Sequence, residues 1–261
     1  MLDVFLSEQL KERIIPVLDD VSNSEKINRL EVFYPRMRLD EKLVLKFLIN
    51  RDFSQCNRWT KACVLHRIGV QKIEAFTLDL ISQLFNPDPL ISESAAWALH
   101  QLNPDLYLTN SARLGENVKK SLDASILGKG HNPPILLYDI VLFFQTIKLF
   151  EGLAGITLSY IANISGTIFL KQDQVLSSDI DQANDFLLVY KGQVQYFEFG
   201  KNISDFKEGQ FLGEYLFSSN GLNPNEVVAK EDTILLKFNK DIFYELLAGQ
   251  VKLADKVLDY I

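Results

Sequence analysis

The sequence predicts a multidomain α+β chain: an N-terminal all-α half, followed by a small β-roll (jelly-roll-like) framed by helices. Three observations predict this. From Leu2 to about Leu127 apolar residues recur at helical spacing, and strand-like alternation is scarce. From Gly166 onward, short runs rich in β-branched and aromatic residues alternate with turn signals. Between the two regimes, Gly128-Lys-Gly-His-Asn-Pro-Pro134 places two glycines and two prolines in seven residues, which breaks the helical pattern. The predicted domains are therefore residues 1–130 and 135–261.

Composition narrows the function classes. The chain has 261 residues, 47% of them hydrophobic, enough for a buried core without disulfide staples. Its net charge of −7 sits entirely in the second half, because residues 1–134 balance 17 Lys/Arg against 17 Asp/Glu. Residues 135–261 hold 10 Lys, 17 Asp/Glu and no arginine, so Arg113 is the last arginine. An acidic, arginine-free half is a poor surface for nucleic acid or anionic lipid, and neither is expected as a partner. The longest apolar run, Ile135–Phe150, is broken by Asp139, Gln145 and Lys148, so no direct membrane insertion is expected. Asp3 and Glu8 without a basic n-region show no secretory signal, so none is expected, and Cys56 and Cys63 cannot form a disulfide framework. A reduced, cytoplasmic setting is the expectation.

In chain order, Gln9–Val32 reads as a helix pair turning near Asp19–Ser24. Two segments then match each other. Val44, Leu45, Leu48, Ile49, Asn50 and Asp52 recur 36 residues later as Leu80, Ile81, Leu84, Phe85, Asn86 and Asp88. Ala62, Leu65, His66 and Ile68 recur 34 residues later as Ala96, Leu99, His100 and Leu102. Each copy reads as helix, Asn-x-Asp turn, helix. Asn and Asp suit the turn because their side chains bond nearby backbone and cap the next helix, and small Ala62 and Ala96 allow close helix approach. Over Asp40–Leu102 this pair resembles HEAT-like repeats, whose second helix carries an Ala-x-x-Leu pattern; an irregular helical bundle is the alternative. The resemblance implies a protein-binding surface. Asn110–Leu127 reads as a later helix.

In the second half, Ile135–Leu149 and Leu153–Ile161 read as helices. Strands are expected at Gly166–Leu170, Phe186–Tyr190, Gly192–Phe199 and Thr233–Phe238, with turns at Lys191-Gly192, Gly200-Lys-Asn202 and Glu208-Gly209. Asp241–Ile261 returns to helical spacing. The ordered motifs Leu158–Ala162, Asp185-Phe-Leu-Leu-Val-Tyr-Lys-Gly-Gln-Val194, Glu208-Gly-Gln-Phe-Leu-Gly-Glu214, Val227–Leu236 and Phe243 with Glu245-Leu-Leu resemble the cyclic nucleotide-binding domain, the cyclic-AMP-receptor type of β-roll. The likeness spans about residues 135–261.

That family binds a cyclic phosphate in a cassette, using a Gly for close backbone approach, a Glu for the ribose hydroxyl and an Arg for the phosphate. By position, Gly213 and Glu214 match the first two. The arginine position falls at Asn223, counted back from Val227, and the small residues after it fall at Pro224 and Asn225. Glu226 adds a carboxylate where an anion would sit. Losing one partner of a buried charge pair costs about 2–5 kcal/mol, and Pro224 removes a backbone donor. Lys207 and Lys230 offer at most point charges. The resemblance therefore implies a degenerate domain that keeps the fold and has lost ordinary cyclic nucleotide binding. A purely structural role for Gly213 (turn) and Glu214 (helix cap) stays open.

No Gly-x-Ser-x-Gly, P-loop, dinucleotide fingerprint or His-Glu-x-x-His is present, so no catalytic residue is assigned and no enzyme is expected. His66, His100 and His131 are too scattered for a metal site. Cys56 and Cys63, seven apart, suit one helical face, Trp59 and Trp97 suit core packing, and Asp173, Asp179, Asp181 and Asp185 suit a solvated loop. The expectation is a non-enzymatic regulatory or scaffolding module with no cofactor and a protein partner on its helical repeats. The order of parts is also similar to the soluble C-terminal region of some bacterial nucleotide-translocase-like transporters, which implies a membrane-transporter partner. The alternative is a working receptor for a cyclic nucleotide or other small ligand, with Gly213, Glu214, Asn223 and Asn225 in its site.

Overall fold

The structure, a computed structural model, describes residues 7–35, 40–51, 54–176, 185–212, 225–239, 241–242 and 245. The chain divides into two compact units, Met1–Leu45 and Lys46–Ile261.

In the first unit, α1 (Glu8–Leu18) and α2 (Asn23–Leu30) form the expected pair. Ser22 caps α2 by accepting from Glu25 N–H, and Arg29 ties the turn through Asp19 at 2.8 Å and Glu25 at 2.6 Å. α2 buries none of its residues.

Helix α3 (Glu41–Asn50) runs across the division. The second unit continues with α4 (Arg58–Gln71), α5 (Thr77–Leu84), α6 (Pro89–Leu102), α7 (Pro104–Ser111) and α8 (Glu116–Leu127). The matching segments of the sequence fall on α3 and α4 and on α5 and α6, and of these α5 and α6 pack together. In the second copy Asp88 caps α6 as expected, accepting from Leu90 N–H, with Pro89 at the first helical position. In the first copy the cap is Asn57, which accepts from Thr60 N–H. α4 and α6 pack against each other, and their small residues Ala62, Ala95, Ala96 and Ala98 are fully buried. A Cβ added at Gly69 would stand 2.8 Å from Ala98 Cα. The helix expected from Asn110 is divided: Asn103 caps α7, Arg113–Gly115 interrupts, and α8 follows.

The Gly/Pro break closes on itself through a Lys129–Asn132 bridge, with Gly128 at φ +80°. The apolar run after it is shorter as a helix than its composition suggests. α9 (Leu137–Phe144) ends at Gln145, and a single tight turn at Lys148–Phe150 leads to α10 (Gly155–Ile164).

The roll consists of two antiparallel three-stranded sheets. One has the order β1 (Gly166–Leu170), β6 (Thr233–Asn239), β2 (Asp185–Lys191); the other has β4 (Lys201–Lys207), β3 (Gln193–Glu198), β5 (Asn225–Ala229). Leu187, Val189, Val194, Tyr196, Val227 and Leu235 face inward and fill the roll. The opposite faces of β2 and β6, through Leu188, Leu236 and Phe238, pack against Ile140, Phe144, Leu158 and Ile161 of α9 and α10. Burial on both faces explains why these two strands read as unbroken apolar runs. β4 was not expected. Its residues Lys201-Asn-Ile-Ser-Asp-Phe-Lys207 form an edge strand that buries only Phe206, so little apolar patterning is needed. Asp241–Ile242 and Glu245 are helical; the rest of the expected closing helix lies outside the described residues. Among the described residues, no helix is long and apolar enough to cross a membrane.

Candidate functional site: the roll mouth and its junction with the helices

The segment expected to hold a phosphate joins the two sheets. Its approach, Gly209–Leu212, pairs with β2: Gly209 N–H donates to Val189 O at 2.9 Å and Leu212 N–H to Leu187 O at 2.9 Å. Its exit is Asn225, which opens β5 opposite Glu198 on β3. Asp173 to Leu176 stitches β5 from the other side, with Leu176 N–H donating to Val227 O at 2.8 Å. Gly213, Glu214 and Asn223 lie outside the described residues, and of Asn225 only the backbone is described.

Two carboxylates of the roll, Asp205 and Asp185, lie beside lysines. Glu226 is exposed on β5. Lys230, a potential point charge for a phosphate, lies 3.6 Å from Asp205. Asp205 also accepts from Asn202 and Gln195, and these bonds, then Lys230, hold it below the usual carboxylate range. Asp185 corrects the solvated-loop expectation: it is 4% exposed, at the start of β2, with Lys237 Nζ at 3.2 Å. Asp173 is exposed, and Asp179 and Asp181 lie outside the described residues.

The junction between helices and roll carries chemistry the sequence reading missed. Trp97, His66, Tyr138 and Trp59 form one stack, with ring centroids 4.2, 3.9 and 5.2 Å apart in that order. Trp59 and His66 come from α4, Trp97 from α6 and Tyr138 from α9, so the stack joins the helix pairs to the helix that packs on the roll. Burial lowers the His66 pKa, partly opposed by Asp139. Arg58 is a second tie. Its guanidinium meets Asp88 at 2.7 Å and lies 4.8 Å from the centre of the Tyr160 ring of α10. Glu93 of α6 is a third. Leu137 N–H, at the start of α9, donates to Glu93 Oε2 at 2.5 Å, where α9 has no side-chain cap of its own. Burial pushes the Glu93 carboxyl up to about 7, opposed by the Ser125 hydroxyl and the Leu137 amide. The available signal is an acid immediately before the small, apolar run Ser94-Ala-Ala-Trp-Ala98. Cys56 is buried ahead of α4, off the helical face expected for it with Cys63. Among the described residues, no three His, Cys, Asp or Glu side chains are grouped as a metal site requires.

Residues 167–250 match the family model of the cyclic nucleotide-binding domain, so a domain of that type is present. A cyclic nucleotide-binding domain from Methylobacillus flagellatus is 24% identical, over 47% of this chain and 71% of that one, with a TM-score of 0.38. The sensor domain of the transcriptional regulator DNR from Pseudomonas aeruginosa is 18% identical, over 48% of this chain and 87% of that one, with a TM-score of 0.41. The Thermus thermophilus catabolite activator protein is 22% identical over 43% of this chain, which spans 55% of that protein, with a TM-score of 0.36. A search of curated proteins found no match.

Proposed function

We propose that this chain is a non-enzymatic regulatory or scaffolding module. Its roll keeps the cyclic nucleotide-binding fold without ordinary cyclic nucleotide binding, and its HEAT-like helix pairs dock a protein partner. One observation carries this reading: the phosphate-binding arginine position is Asn223, followed by Pro224, and no arginine follows Arg113. Among the described residues, Arg58 is engaged by Asp88 and Arg113 lies over the Phe85 ring at 5.0 Å. Lys230, beside β5, faces Asp205. A buried phosphate without a paired charge is strongly disfavoured. The order of parts supports a membrane transporter as partner, with this chain on its cytosolic side.

The match over residues 167–250 favours a second reading, a receptor using Gly213, Glu214, Asn223 and Asn225. Calorimetric titration of cyclic AMP and cyclic GMP into the full chain separates the two, with Glu214→Ala as control. No heat at millimolar nucleotide is the expected result. Micromolar binding that Glu214→Ala abolishes overturns the degeneracy and makes the chain a receptor.

A further inference from the structure

A cleft of about 610 Å³ opens between α5, α6 and α8 on one side and the Ile135–Ile140 segment and the start of β1 on the other. That volume lies within the roughly 300–1,000 Å³ range of small-molecule sites. Phe85, Val118, Leu122, Ile135 and Ile140 give it apolar walls. Among the residues lining it, Glu93 is the one ionisable side chain. We propose that this cleft binds a small organic amine with a hydrocarbon body, its ammonium group donating to Glu93.

Three features support that occupant over a neutral or anionic one. The Glu93 carboxylate accepts from Leu137 N–H and from Ser125. A carboxylate has about four acceptor positions, so capacity for a ligand donor remains. The lining holds no lysine, arginine or histidine to neutralise the carboxylate. The other ionisable group acting on Glu93 is Asp139, which is also acidic and raises the Glu93 pKa further. Asp139 is itself pushed up by burial and held down in part by His66. A cation supplied by the ligand offsets the charge on Glu93, and an anion opposes it. Because Glu93 belongs to α6 and Leu137 to α9, the bound amine would tie the helix pairs to the roll. This inference does not depend on whether the roll binds a cyclic nucleotide.

The test uses the isotope-labelled full chain, titrated with 1-naphthylmethylamine and with 1-naphthylmethanol, which matches it in shape. Backbone amide shifts are followed at about pH 8 and about pH 6. Saturable shifts at Ser125 and Leu137 are expected with the amine, and binding at least tenfold weaker with the alcohol. The amine affinity should fall about tenfold at the lower pH as Glu93 takes up its proton. Glu93→Gln should bring the amine to the level of the alcohol. Ser121→Phe, at the exposed mouth, should weaken both ligands and keeps the test open if Glu93→Gln does not fold. Equal binding of amine and alcohol, amine binding unchanged in both variants, or no saturable shift up to about 10 mM amine overturns the proposal.

Discussion

Glu93 makes the stability of the second unit depend on pH in a direction opposite to that of an ordinary surface acid. Its carboxyl is 5% exposed, and burial holds its pKa near 7, against 4.5 for the free side chain. Below 4.5 both folded and unfolded chains carry the proton, and the full contribution to stability is present. Between 4.5 and 7 the unfolded chain ionises while the fold retains its proton, so stability falls as pH rises. Above 7 both are ionised and the contribution is lost. The difference corresponds to about 3 kcal/mol, since one pKa unit is about 1.4 kcal/mol. Glu93→Gln keeps an oxygen for the Leu137 N–H and removes the titration. Urea unfolding, read by the fluorescence of Trp59 and Trp97, should be run on both proteins from about pH 4 to about pH 8. The variant should gain on the wild type by about 3 kcal/mol across that range. Other titrating groups cancel in the difference. A difference independent of pH, or one that shrinks as pH rises, refutes the reasoning.

Other expectations follow from the same contacts. Arg58→Met leaves Asp88 without its ion-pair partner and should destabilise by about 3–5 kcal/mol. Adding Asp88→Asn should recover part of the loss, and strict additivity in the double-mutant cycle would show that the pair is not coupled. Gly192 stands at φ +91°, and a Cβ there would meet Thr233 Oγ1 at 2.6 Å and Asp232 O at 2.9 Å. Gly192→Ala should therefore cost about 2–4 kcal/mol, combining left-handed strain with a backbone clash; a thermal midpoint unchanged from wild type would refute it.

Local patterning carried much of this architecture. Helices α3 to α6 are legible because an apolar stripe at helical spacing acts within a few residues, as does the Asp88 cap of α6; the cap of α4, Asn57, lies outside the Asn50-x-Asp52 turn that the sequence suggests. β2 and β6 were legible because both of their faces are buried. β4 was hidden because an edge strand needs one buried side chain, Phe206, and reads as a polar turn. α9 stops at Phe144, where Gln145 interrupts the apolar run, and the chain turns there to bring Phe150 against Phe144, with ring centroids 4.9 Å apart.

For function, the sequence by itself determined the charge asymmetry, the absence of arginine after Arg113 and the asparagine at position 223, since these are properties of residue identity. Only the tertiary structure decided which polar groups leave water. Asp185 reads as one of a run of loop acids and is buried beside Lys237. Glu93 belongs to no sequence motif and caps a helix 44 residues away. His66 reads as a repeat position and is the middle of an aromatic stack. Burial and pairing depend on what the rest of the chain places around a side chain, and a one-dimensional pattern holds that information only for its nearest neighbours.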